Sequence, residues 1–461
     1  MKRAKQLTFN EFETNSDESG AIGSMRGESK RNKRTFREVK GYYDLPEGWR
    51  WIKLADISIV NPSKREVSNL PDETNVSFIP MAYVDENSGI IINQDIKKLG
   101  EVRQGYTYFK EGDILFAKIT PCMENGKCAV AKGLINGIGF GSTEFHVIRP
   151  KDEYVLSEYI HLYLRQEWVR VEATRHFTGA VGQQRVPDSF LKRLPIPLPF
   201  KNNKPDLEEQ KRIIAKIEEL FSKIDRIKEL RRQAKEEAET LLKVALHHVF
   251  SRADEKGWRW VKLGDICEIR RGGSPRPKGD PRYFSKENTG IHWIKISDIS
   301  KYANGFYLMN TDEFLTKEGV KRSLFVRKGT LILTNSGTVG IPIILMIDGC
   351  IHDGFLALLD LDANIDQEYL AYWFIYYRKN IQKLAPSGTQ ANLNTTIAKK
   401  IKVPFPFKNN KPDLEEQKHI AAYLDKIAEK QRKLLELYEQ TERELEIMKQ
   451  AILSKAFRGE L

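Results

Sequence analysis

Two short motifs rich in amide and basic side chains follow glycine turns at distant places in the chain. Gln183, Gln184 and Arg185 lie in TGAVGQQRV, and Gln390 and Asn392 lie in SGTQANLN. Arginine can bind guanine through two hydrogen bonds, and asparagine or glutamine can do the same for adenine. A single residue of this kind is more often an ordinary solvated side chain, but its occurrence after the same turn in both places favours recognition of nucleic-acid bases.

Other polar residues near turn signals extend this set, including the basic loop RRGGSPRPK that begins at Arg270. In the first half of the chain the candidate DNA-binding residues are Arg103, Lys118, Asn125, Lys127, Gln183, Gln184 and Arg185. In the second half they are Arg270, Arg271, Arg276, Lys278, Lys295, Asn335, Ser336, Gln390, Asn392 and Asn394. The formal net charge of +12 and the isoelectric point near 9.2 also favour a polyanionic partner.

Residues for catalysis or metal binding form no familiar pattern. The sequence has no G-x-x-x-x-G-K-[ST] phosphate loop, no Asn/Asp/Ser-Pro-Pro-aromatic methyltransferase motif, no H-E-x-x-H and no C-x-x-C pair. PDLEEQK superficially resembles a nuclease motif, but its carboxylates fall within one turn at a helix start, where capping explains them better. We therefore expect no catalytic residue, no metal site and no cofactor bound by this chain.

The sequence also lacks the features of a membrane or secreted protein. No run reaches the roughly 18 apolar residues that a membrane span needs. The amino terminus, MKRAKQLTFNEFETN, is basic but lacks the apolar core of a signal peptide. We expect a cytoplasmic protein without a membrane partner.

The candidate residues sit in a chain that repeats itself. FKNNKPDLEEQK occurs at Phe200–Lys211 and again at Phe407–Lys418, and GWRWIKL at Gly48–Leu54 returns as GWRWVKL at Gly257–Leu263. The copies start 207 residues apart (200 to 407) and 209 residues apart (48 to 257), so the whole intervening segment is duplicated. The edges are nearly identical while the interiors have diverged, which indicates one mechanical task performed twice and two different recognition tasks.

The repeated edges lead into long predicted helices. Asp206 and Asp413 are plausible N-caps, and a heptad-like apolar pattern then runs for about five heptads without glycine or proline. Each helix of about 45 residues would be roughly 65 Å long. The predicted seam is Ile217, Leu220, Ile224, Ile227 and Leu241 in the first helix and Leu424, Ile427, Leu434, Tyr438 and Leu445 in the second.

A seam of this kind needs a partner, and the other copy of the helix is the obvious one. We favour antiparallel pairing, which would place one globular domain at each end of a pseudo-twofold repeat. The polar seam members Arg231, Gln431 and Thr441 weaken the seam but help to fix its register. The alternative is that each helix packs on its own globular domain.

Each globular segment combines short β-rich runs with one helical stretch near its end. The predicted fold class is therefore α+β: two tandem mixed α/β domains separated by two long helices that form an antiparallel coiled coil. The predicted order is a disordered basic tail at 1–41, a first domain at 42–205, a connector helix at 206–252, a second domain at 253–412 and a second connector at 413–461.

The chain resembles the specificity (S) subunit of type I restriction–modification systems over about residues 42–461. The resemblance is carried by GWRW[IV]KL at the start of each domain, by IPLPF and VPFPF at its end, by DLEEQK at each helix start, and by AFRGEL at Ala456–Leu461. It implies two target-recognition domains, each reading one half of a bipartite, asymmetric site in double-stranded DNA, with the helices setting the spacer.

The resemblance also implies partners that supply all chemistry. A methyltransferase (M) subunit would hold S-adenosylmethionine, and a restriction (R) subunit would hold ATP and magnesium. The M subunits would dock on the helices, where Glu236–Glu239 and Glu442–Glu446 are candidates, although both stretches suit an ordinary solvated face equally well.

The alternatives are an orphan DNA-binding scaffold that works without such subunits and, with less support, a self-sufficient nuclease or methyltransferase. The amino tail departs from the family pattern. It contains KRNKR at Lys30–Arg34, and Met25 is a second candidate start.

Overall fold

The computed structural model describes residues 36–180, 182–288, 291–384 and 393–461. These residues form two compact units. The first comprises the described residues up to Ile214 together with Ser454–Leu461, and the second is Ala215–Leu453. The predicted tail up to residue 35, with KRNKR and Met25, lies outside the described residues.

The last part of the predicted tail is packed on the first unit. The ring of Phe36 meets that of Tyr154 edge to face, with 4.9 Å between centroids. The backbone N–H of Val39 donates a hydrogen bond to the carbonyl of Trp51 at 3.0 Å. Phe36 and Val39, within the segment assigned to the tail, therefore contact residues of the first unit.

The first unit contains eleven strands within the described residues, and most of them are short. The strands are β1 Trp49–Lys53, β2 Ser58–Val60, β3 Asn75–Ile79, β4 Asp95–Lys98, β5 Thr107–Lys110, β6 Ile114–Ala117, β7 Cys128–Val130, β8 Ile138–Gly141, β9 Phe145–Pro150, β10 Pro195–Lys201 and β11 Lys204–Pro205. The short helices are α1 Leu54–Ile57, α2 Leu99–Val102, α3 Ser157–Leu164, α4 Glu167–Thr174 and α5 Asp188–Arg193.

The strands of the first unit form two four-stranded sheets and a separate three-stranded sheet with the order β1-β10-β11. One sheet has the order β2-β9-β6-β7 and is antiparallel, and the other has the order β4-β3-β8-β5, in which β3 and β8 are parallel. A buried apolar cluster that includes Ile79, Phe109, Leu115 and Phe145 draws on both sheets. The mixed α/β domain predicted from the sequence is confirmed.

The first and last strands of this unit pair with each other. β1 runs antiparallel to β10, from Trp49 opposite Pro199 to Lys53 opposite Pro195. Every second residue at the start of β10 is proline, which cannot donate to a ladder and suits a strand at the edge of a sheet. The domain therefore begins and ends at the same place.

A two-residue turn links the closing strand to the long helix. Asn202 and Asn203 both have positive φ angles (52° and 60°), which asparagine tolerates and a tight hairpin requires. Arg50 donates from Nη2 to Oδ1 of Asn203 at 2.7 Å, and its guanidinium lies over the ring of Phe200 at 4.8 Å. These contacts explain why GWRW and FKNN are repeated together in the sequence.

The first long helix, α6, spans Leu207–Phe250, and a buried glutamine attaches its start to the first domain. Oδ1 of Asp206 accepts the N–H of Glu209 at 3.1 Å, as expected for an N-cap. Gln210 is fully buried; its Oε1 accepts the N–H of Leu156 at 3.1 Å, and its Nε2 donates to the carbonyl of Tyr154 at 3.0 Å. This side chain ties the helix to the loop that precedes α3.

The carboxyl-terminal residues of the chain also belong to the first unit. The ring of Phe457 lies against those of Tyr159 and Tyr163, with centroid distances of 5.0 and 5.1 Å. The hydroxyl of Tyr43 donates to the carbonyl of Phe457 at 3.1 Å. Ala456 and Phe457 of the AFRGEL ending are thus part of the core of the amino-terminal domain.

The second unit repeats this arrangement with more, shorter strands. They are β12 Arg259–Lys262, β13 Glu268–Arg271, β14 Phe284–Ser285, β15 His292–Ile294, β16 Ala303–Asn304, β17 Tyr307–Leu308, β18 Glu313–Leu315, β19 Leu324–Val326, β20 Leu331–Thr334, β21 Pro342–Leu345, β22 Gly349–Ile351, β23 Phe355–Leu359, β24 Lys402–Phe405, β25 Phe407–Lys408 and β26 Lys411–Pro412. The helices are α7 Ile296–Tyr302, α8 Lys317–Val320, α9 Gln367–Leu384, α10 Thr395–Lys399 and α11 Leu414–Phe457.

The sheets of the second unit have the orders β13-β23-β20-β21-β17-β16 and β14-β18-β15-β22-β19. β12 pairs antiparallel with β24, as β1 does with β10. Arg259 donates to Asn410 at 2.6 Å and lies over the ring of Phe407. The closing pair and its arginine clamp are therefore built twice.

The helix attachments are repeated as well. Gln417 is fully buried, accepts the N–H of Asp366 at 3.1 Å and donates to the carbonyl of Asn364 at 3.0 Å. Phe250, at the end of α6, packs against Tyr369 with 5.5 Å between centroids. Each unit thus holds the start of one long helix and the end of the other.

Within the second unit the two long helices run antiparallel, as predicted. Lys449 donates to Asp225 at 2.6 Å, and Lys228 donates to Glu446 at 2.9 Å. Farther along, Gln431 donates to the carbonyl of Glu239 at 2.9 Å. The partner number falls as the residue number rises, which defines the antiparallel direction.

The predicted seam residues do not all face the partner helix. Ile217, Ile224, Leu424 and Leu445 are buried, and Leu220, Ile427, Leu434 and Tyr438 are half-buried. Ile227 and Leu241 are 42% and 40% exposed, whereas the adjacent Lys228 and Leu242 are half-buried. A helix with 3.6 residues per turn drifts out of a strict 3.5-residue pattern, so the inward position moves on by one residue.

The buried glutamines predict a domain-selective loss of stability. Replacing Gln210 by alanine leaves the N–H of Leu156 and the carbonyl of Tyr154 without partners, at a cost of about 1–3 kcal/mol in the free energy of unfolding. Hydrogen exchange followed by mass spectrometry should show faster exchange around residues 154–164, and Gln417→Ala should do the same around 364–374. The exposed Gln233→Ala is the control; equal exchange in Gln210→Ala and Gln233→Ala would contradict this role.

Candidate nucleic-acid interface

Three segments of the first domain meet at Lys118, directly after β6. The N–H of Lys118 donates to the carbonyl of Glu144 at 2.9 Å, and its carbonyl accepts the N–H of Val186 at 2.9 Å. The end of β6, the start of β9 and the loop at 178–186 are thereby fixed to one another. We call these two backbone hydrogen bonds the recognition frame of the first domain.

The frame brings four sequence-predicted residues together: Lys118, Gln183, Gln184 and Arg185. Gln183 is exposed, and the carbonyl of Gln184 accepts the N–H of Thr120 at 3.0 Å. Arg185 donates from Nε and Nη2 to the two carboxylate oxygens of Glu144, at 2.9 and 2.8 Å. The result is a polar, partly exposed surface at one end of the β2-β9-β6-β7 sheet.

Asn125 and Lys127 lie in the turn that follows. Asn125 is exposed, so its amide is available to a ligand. The ammonium group of Lys127 donates to the carbonyl of Val84 at 2.7 Å and lies 3.6 Å from Glu86, and only 16% of its side chain is exposed. This placement favours a role in joining two loops rather than in binding a phosphate.

Arg103 is also occupied by the protein. Its guanidinium donates to the carbonyls of Val67, Ser68 and Leu70 at 2.6–3.0 Å and to the carboxylate of Asp72 at 3.0 Å. Such a set of contacts closes the loop that follows the 3-10 turn at Lys64–Val67. The structure therefore gives Arg103 a structural position, which a basic residue beside a turn does not reveal in the sequence.

Two histidines lie within hydrogen-bonding distance of backbone carbonyls in the loops that form this surface. His146 is buried, with Nε2 2.8 Å from the carbonyl of Val186 and Nδ1 3.1 Å from the amide nitrogen of Asn61. Nε2 of His161 lies 3.0 Å from the carbonyl of Cys128, at the end of the turn that carries Asn125. Burial lowers the pKa of both side chains, and that of His161 falls to about 4.

The second domain has the same recognition frame with different side chains. The N–H of Asn335 donates to the carbonyl of Gly354 at 2.9 Å, and its carbonyl accepts the N–H of Leu393 at 2.8 Å. Asn335 therefore occupies the position of Lys118, and Gly354 that of Glu144. The Asn335 side chain is fully buried and donates to the carbonyl of Asp353 at 3.2 Å, while Ser336 is half-buried.

A basic cleft of about 370 Å³ lies beside this frame. Arg276, Lys278 and Lys295 line it together with Trp293 and His352. Burial lowers the pKa of His352, and the positive charges of Arg276, Lys278 and Arg271 lower it further. The concentration of positive charge suits contact with a polyanion.

The remaining candidates of the second domain have separate positions. Arg270 and Arg271 are exposed on β13, and Nε of Arg271 donates to the carbonyl of Asp353 at 2.8 Å. Lys295 pairs with Glu313 at 2.8 Å. Asn394 accepts the N–H of Ile397 at 2.8 Å and so caps α10. Gln390 and Asn392 lie outside the described residues.

Sequence reasoning missed Glu144, His146 and Asp353, which hold the candidate side chains in place. Ser274 donates to a carboxylate oxygen of Asp353 at 2.6 Å, which anchors the basic loop. The available signal was positional, because polar residues at the start of a buried strand lie at the same edge of the sheet as the end of its antiparallel neighbour. A search restricted to cations and amides does not find carboxylates.

No group of three or more histidine, cysteine, aspartate or glutamate residues that could hold a metal ion occurs within 36–180, 182–288, 291–384 and 393–461. Across these same ranges, no helix has both the length and the apolar character of a membrane span.

Comparison with known protein families gives two matches, one in each half of the chain. Residues 46–236 and 255–443 match the family model described as the type I restriction modification DNA specificity domain. The two matches together cover well over half of the chain, and each contains one recognition frame.

Curated relatives point the same way. The type I restriction enzyme EcoEI specificity subunit of Escherichia coli is 40% identical over 206 residues, which are 44% of this chain and 33% of the relative. The EcoAI specificity subunit of the same organism is 41% identical over 187 residues, 41% of this chain and 30% of the relative. The matches therefore span about a third of these two relatives. The MjaVIII specificity subunit of Methanocaldococcus jannaschii is 24% identical over 450 residues, 92% of this chain and 96% of the relative.

Solved structures share the fold over most of the chain. A chain from a study of complex assembly and conformational transition in the type I R-M system matches with a TM-score of 0.74 at 26% identity, over 91% of this chain and 100% of that one. The HsdS subunit from Thermoanaerobacter tengcongensis matches with a TM-score of 0.66 at 26% identity, over 92% of this chain and 100% of that one.

The lowered pKa of His161 predicts that acid reduces the stability of the first domain. The folded state keeps His161 neutral down to about pH 4, whereas the unfolded chain takes up a proton near pH 6.5. The contribution of His161 to stability is therefore complete above pH 6.5 and is lost as the pH falls from 6.5 towards 4, with a slope of at most about 1.4 kcal/mol per pH unit.

Urea unfolding between pH 7.5 and 4.5 measures this slope. His161→Gln should flatten the dependence of the unfolding free energy on pH, because the glutamine does not titrate. The exposed His419→Gln is the matched control and should leave the slope unchanged. Equal slopes in all three proteins would contradict the assignment.

Proposed function

This chain belongs to the family of type I restriction–modification DNA specificity subunits, and on that basis we propose that it selects a bipartite, asymmetric DNA site. Each globular domain reads one half-site, and the paired helices set the distance between the halves. The sequence-predicted function and the family agree on DNA specificity. The division of the DNA site into two half-sites, one for each domain, goes beyond that agreement.

The observation that carries the proposal is the recognition frame built twice with different side chains. The backbone hydrogen bonds at Lys118 in the first domain recur at Asn335 in the second. A common backbone holds three loops in the same relation, while the residues that the loops present differ in charge, size and donor pattern. Two domains of this kind suit two unrelated half-sites, and hence an asymmetric target.

Charge supports DNA as the ligand. Arg276 and Lys278 in the lining of the cleft offer cations for phosphates, which position a protein on the duplex. Exposed amides such as Gln183 and Asn125 offer the donor and acceptor pairs that read base edges in the major groove. Affinity and specificity would thus come from different kinds of residue.

The chemistry belongs to partners in this proposal. Methyltransferase subunits hold S-adenosylmethionine, restriction subunits hold ATP and magnesium, and this chain is non-catalytic. Glu236, Glu237 and Glu239 on α6 and Glu442, Glu444 and Glu446 on α11 are exposed and offer the helix faces on which methyltransferase subunits dock. Because the ligand is cellular DNA, we place the complex in the cytoplasm.

The proposal predicts a split methylation motif. We expect that co-expression of this chain with the methyltransferase subunit from its own operon modifies adenines in a motif of two unlike halves separated by an unspecified spacer, as measured by single-molecule sequencing. Expression of either protein alone should leave DNA unmodified. A continuous palindromic motif would contradict the two-domain assignment, and tight site-specific binding without recruitment of a methyltransferase would indicate an orphan scaffold.

The helix pair predicts a change in spacer length. Inserting seven residues in α6 between Asp225 and Glu239, and seven in α11 between Gln431 and Lys449, keeps the seam in phase and lengthens the pair by about 10 Å. At about 3.4 Å per base pair, the spacer should grow by about three base pairs while both half-sites stay the same.

A single insertion in α6 is the control for this change. The contact of Lys449 with Asp225 and that of Gln431 with Glu239 then cannot form at the same time, which should impair methylation instead. An unchanged spacer in the double-insertion protein would show that the helices do not act as the ruler.

A further inference from the structure

The guanidinium of Arg185 is held on one side and free on the other. Nε and Nη2 donate to the carboxylate of Glu144 at 2.9 and 2.8 Å, and Nη1 donates to the carbonyl of Gln183 at 2.9 Å. A guanidinium has five N–H donors, so these contacts within the described residues use three of them. One hydrogen on Nη1 and one on Nη2 remain, and these two nitrogens are neighbours.

The backbone beneath this side chain is fixed as well. Arg185 and Thr178 exchange backbone hydrogen bonds, at 2.9 Å from Arg185 to Thr178 and 3.0 Å in the other direction. On either side, the carbonyl of Gln184 accepts from Thr120 and the N–H of Val186 donates to Lys118. The backbone of Arg185 and its neighbours is therefore held by hydrogen bonds and does not form a free loop. Its side chain is still 40% exposed, so the unused edge is accessible.

The carboxylate partner determines what that edge can bind. The hydrogen bond from Arg185 lowers the pKa of Glu144, which is therefore ionised at neutral pH. The ion pair has no net charge, and Glu144 repels a phosphate placed close to it. The two neighbouring donors remain, and their natural ligand is an uncharged pair of acceptors. Guanine presents such a pair, O6 and N7, in the major groove.

We propose that Arg185 reads a guanine in the half-site of the first domain and that Glu144 is the positioning residue that orients it. Arg185 contacts the base through Nη1 and Nη2, and Glu144 acts through Arg185 without touching the DNA. This inference rests on the proposed function, because it assumes that the first domain reads one half of a bipartite site.

The second domain cannot build the same device at this place in its frame. Gly354 stands where the first domain has Glu144, so this position supplies no carboxylate to hold an arginine. In the sequence, the residue before Leu393 is Asn392, whereas the residue before Val186 is Arg185. The pair of Arg185 and Glu144 is therefore specific to the first domain.

The test uses the full-length chain and duplex oligonucleotides that carry the motif found by methylation sequencing. Each G·C pair of both half-sites is replaced in turn by A·T, and the dissociation constants are measured at fixed salt. In the wild-type protein one G·C pair of one half-site should be preferred by about 5- to 150-fold. In Arg185→Lys that preference should fall to about onefold, because lysine keeps the charge but not the paired donors.

Glu144→Gln should reduce the same preference and no other, because glutamine can accept only one of the two anchoring hydrogen bonds. Two exposed residues of the same domain provide matched controls, Arg65→Lys and Glu101→Gln, which should leave every preference as in the wild type. Thermal unfolding of each variant separates loss of the contact from loss of the fold.

A phosphate contact gives a different pattern. In that case Arg185→Lys would bind every duplex about as well as the wild type and keep the full preference at each G·C pair, which would overturn the inference. The inference would also be overturned if Arg185→Lys lost its preference at no G·C pair in either half-site. If the wild-type protein discriminates no position in either half-site, the proposed function itself fails.

Discussion

The antiparallel pairing of the first and last strands of each domain is the constraint on which the remaining structure depends. In the first unit β1 lies against β10, and in the second β12 lies against β24. The prolines in the closing strands have no N–H to donate to a further strand. The long helix begins shortly after this pair. There the backbone N–H of Asp206 donates to the carbonyl of Pro199, and that of Asp413 donates to the carbonyl of Pro406, each at 2.8 Å. The direction of each helix is therefore set by the domain that precedes it.

Because the framework is fixed and the loops differ, the contacts that hold the helices can stay the same while the DNA specificity changes. The arginine clamps on the asparagine turns, the buried glutamines and the aromatic contacts at the helix ends are the same in both units. None of these contacts involves the recognition frame. Substitution of a base-reading residue consequently alters no contact that holds the helices, and the two kinds of residue can change independently.

The repeat and the periodicity were enough to predict the two long helices and their antiparallel pairing. The closing strands were marked by sequence identity at both edges. What could not be predicted is where a given polar side chain points. Lys118 and Arg185 stand 67 positions apart in the sequence and meet because the N–H of Val186 donates to the carbonyl of Lys118. Arg103 and Asn335 belong to residue types that can read bases, yet the guanidinium of Arg103 donates to backbone carbonyls and the side chain of Asn335 is buried, because turn residues also close loops.

The contact between Phe457 and the tyrosines of α3 has a consequence for synthesis. The ribosome completes β1 to β11 long before it reaches the last residues of α11, and at about 5–20 residues per second the interval is on the order of tens of seconds. During that time Tyr159 and Tyr163 lack their contact with the ring of Phe457, although the rest of the first domain has left the ribosome. The domain made first is therefore the last to be completed. A chain that terminates early lacks Phe457 and therefore its contact with the amino-terminal domain. The corresponding site of the second domain is already filled by Phe250.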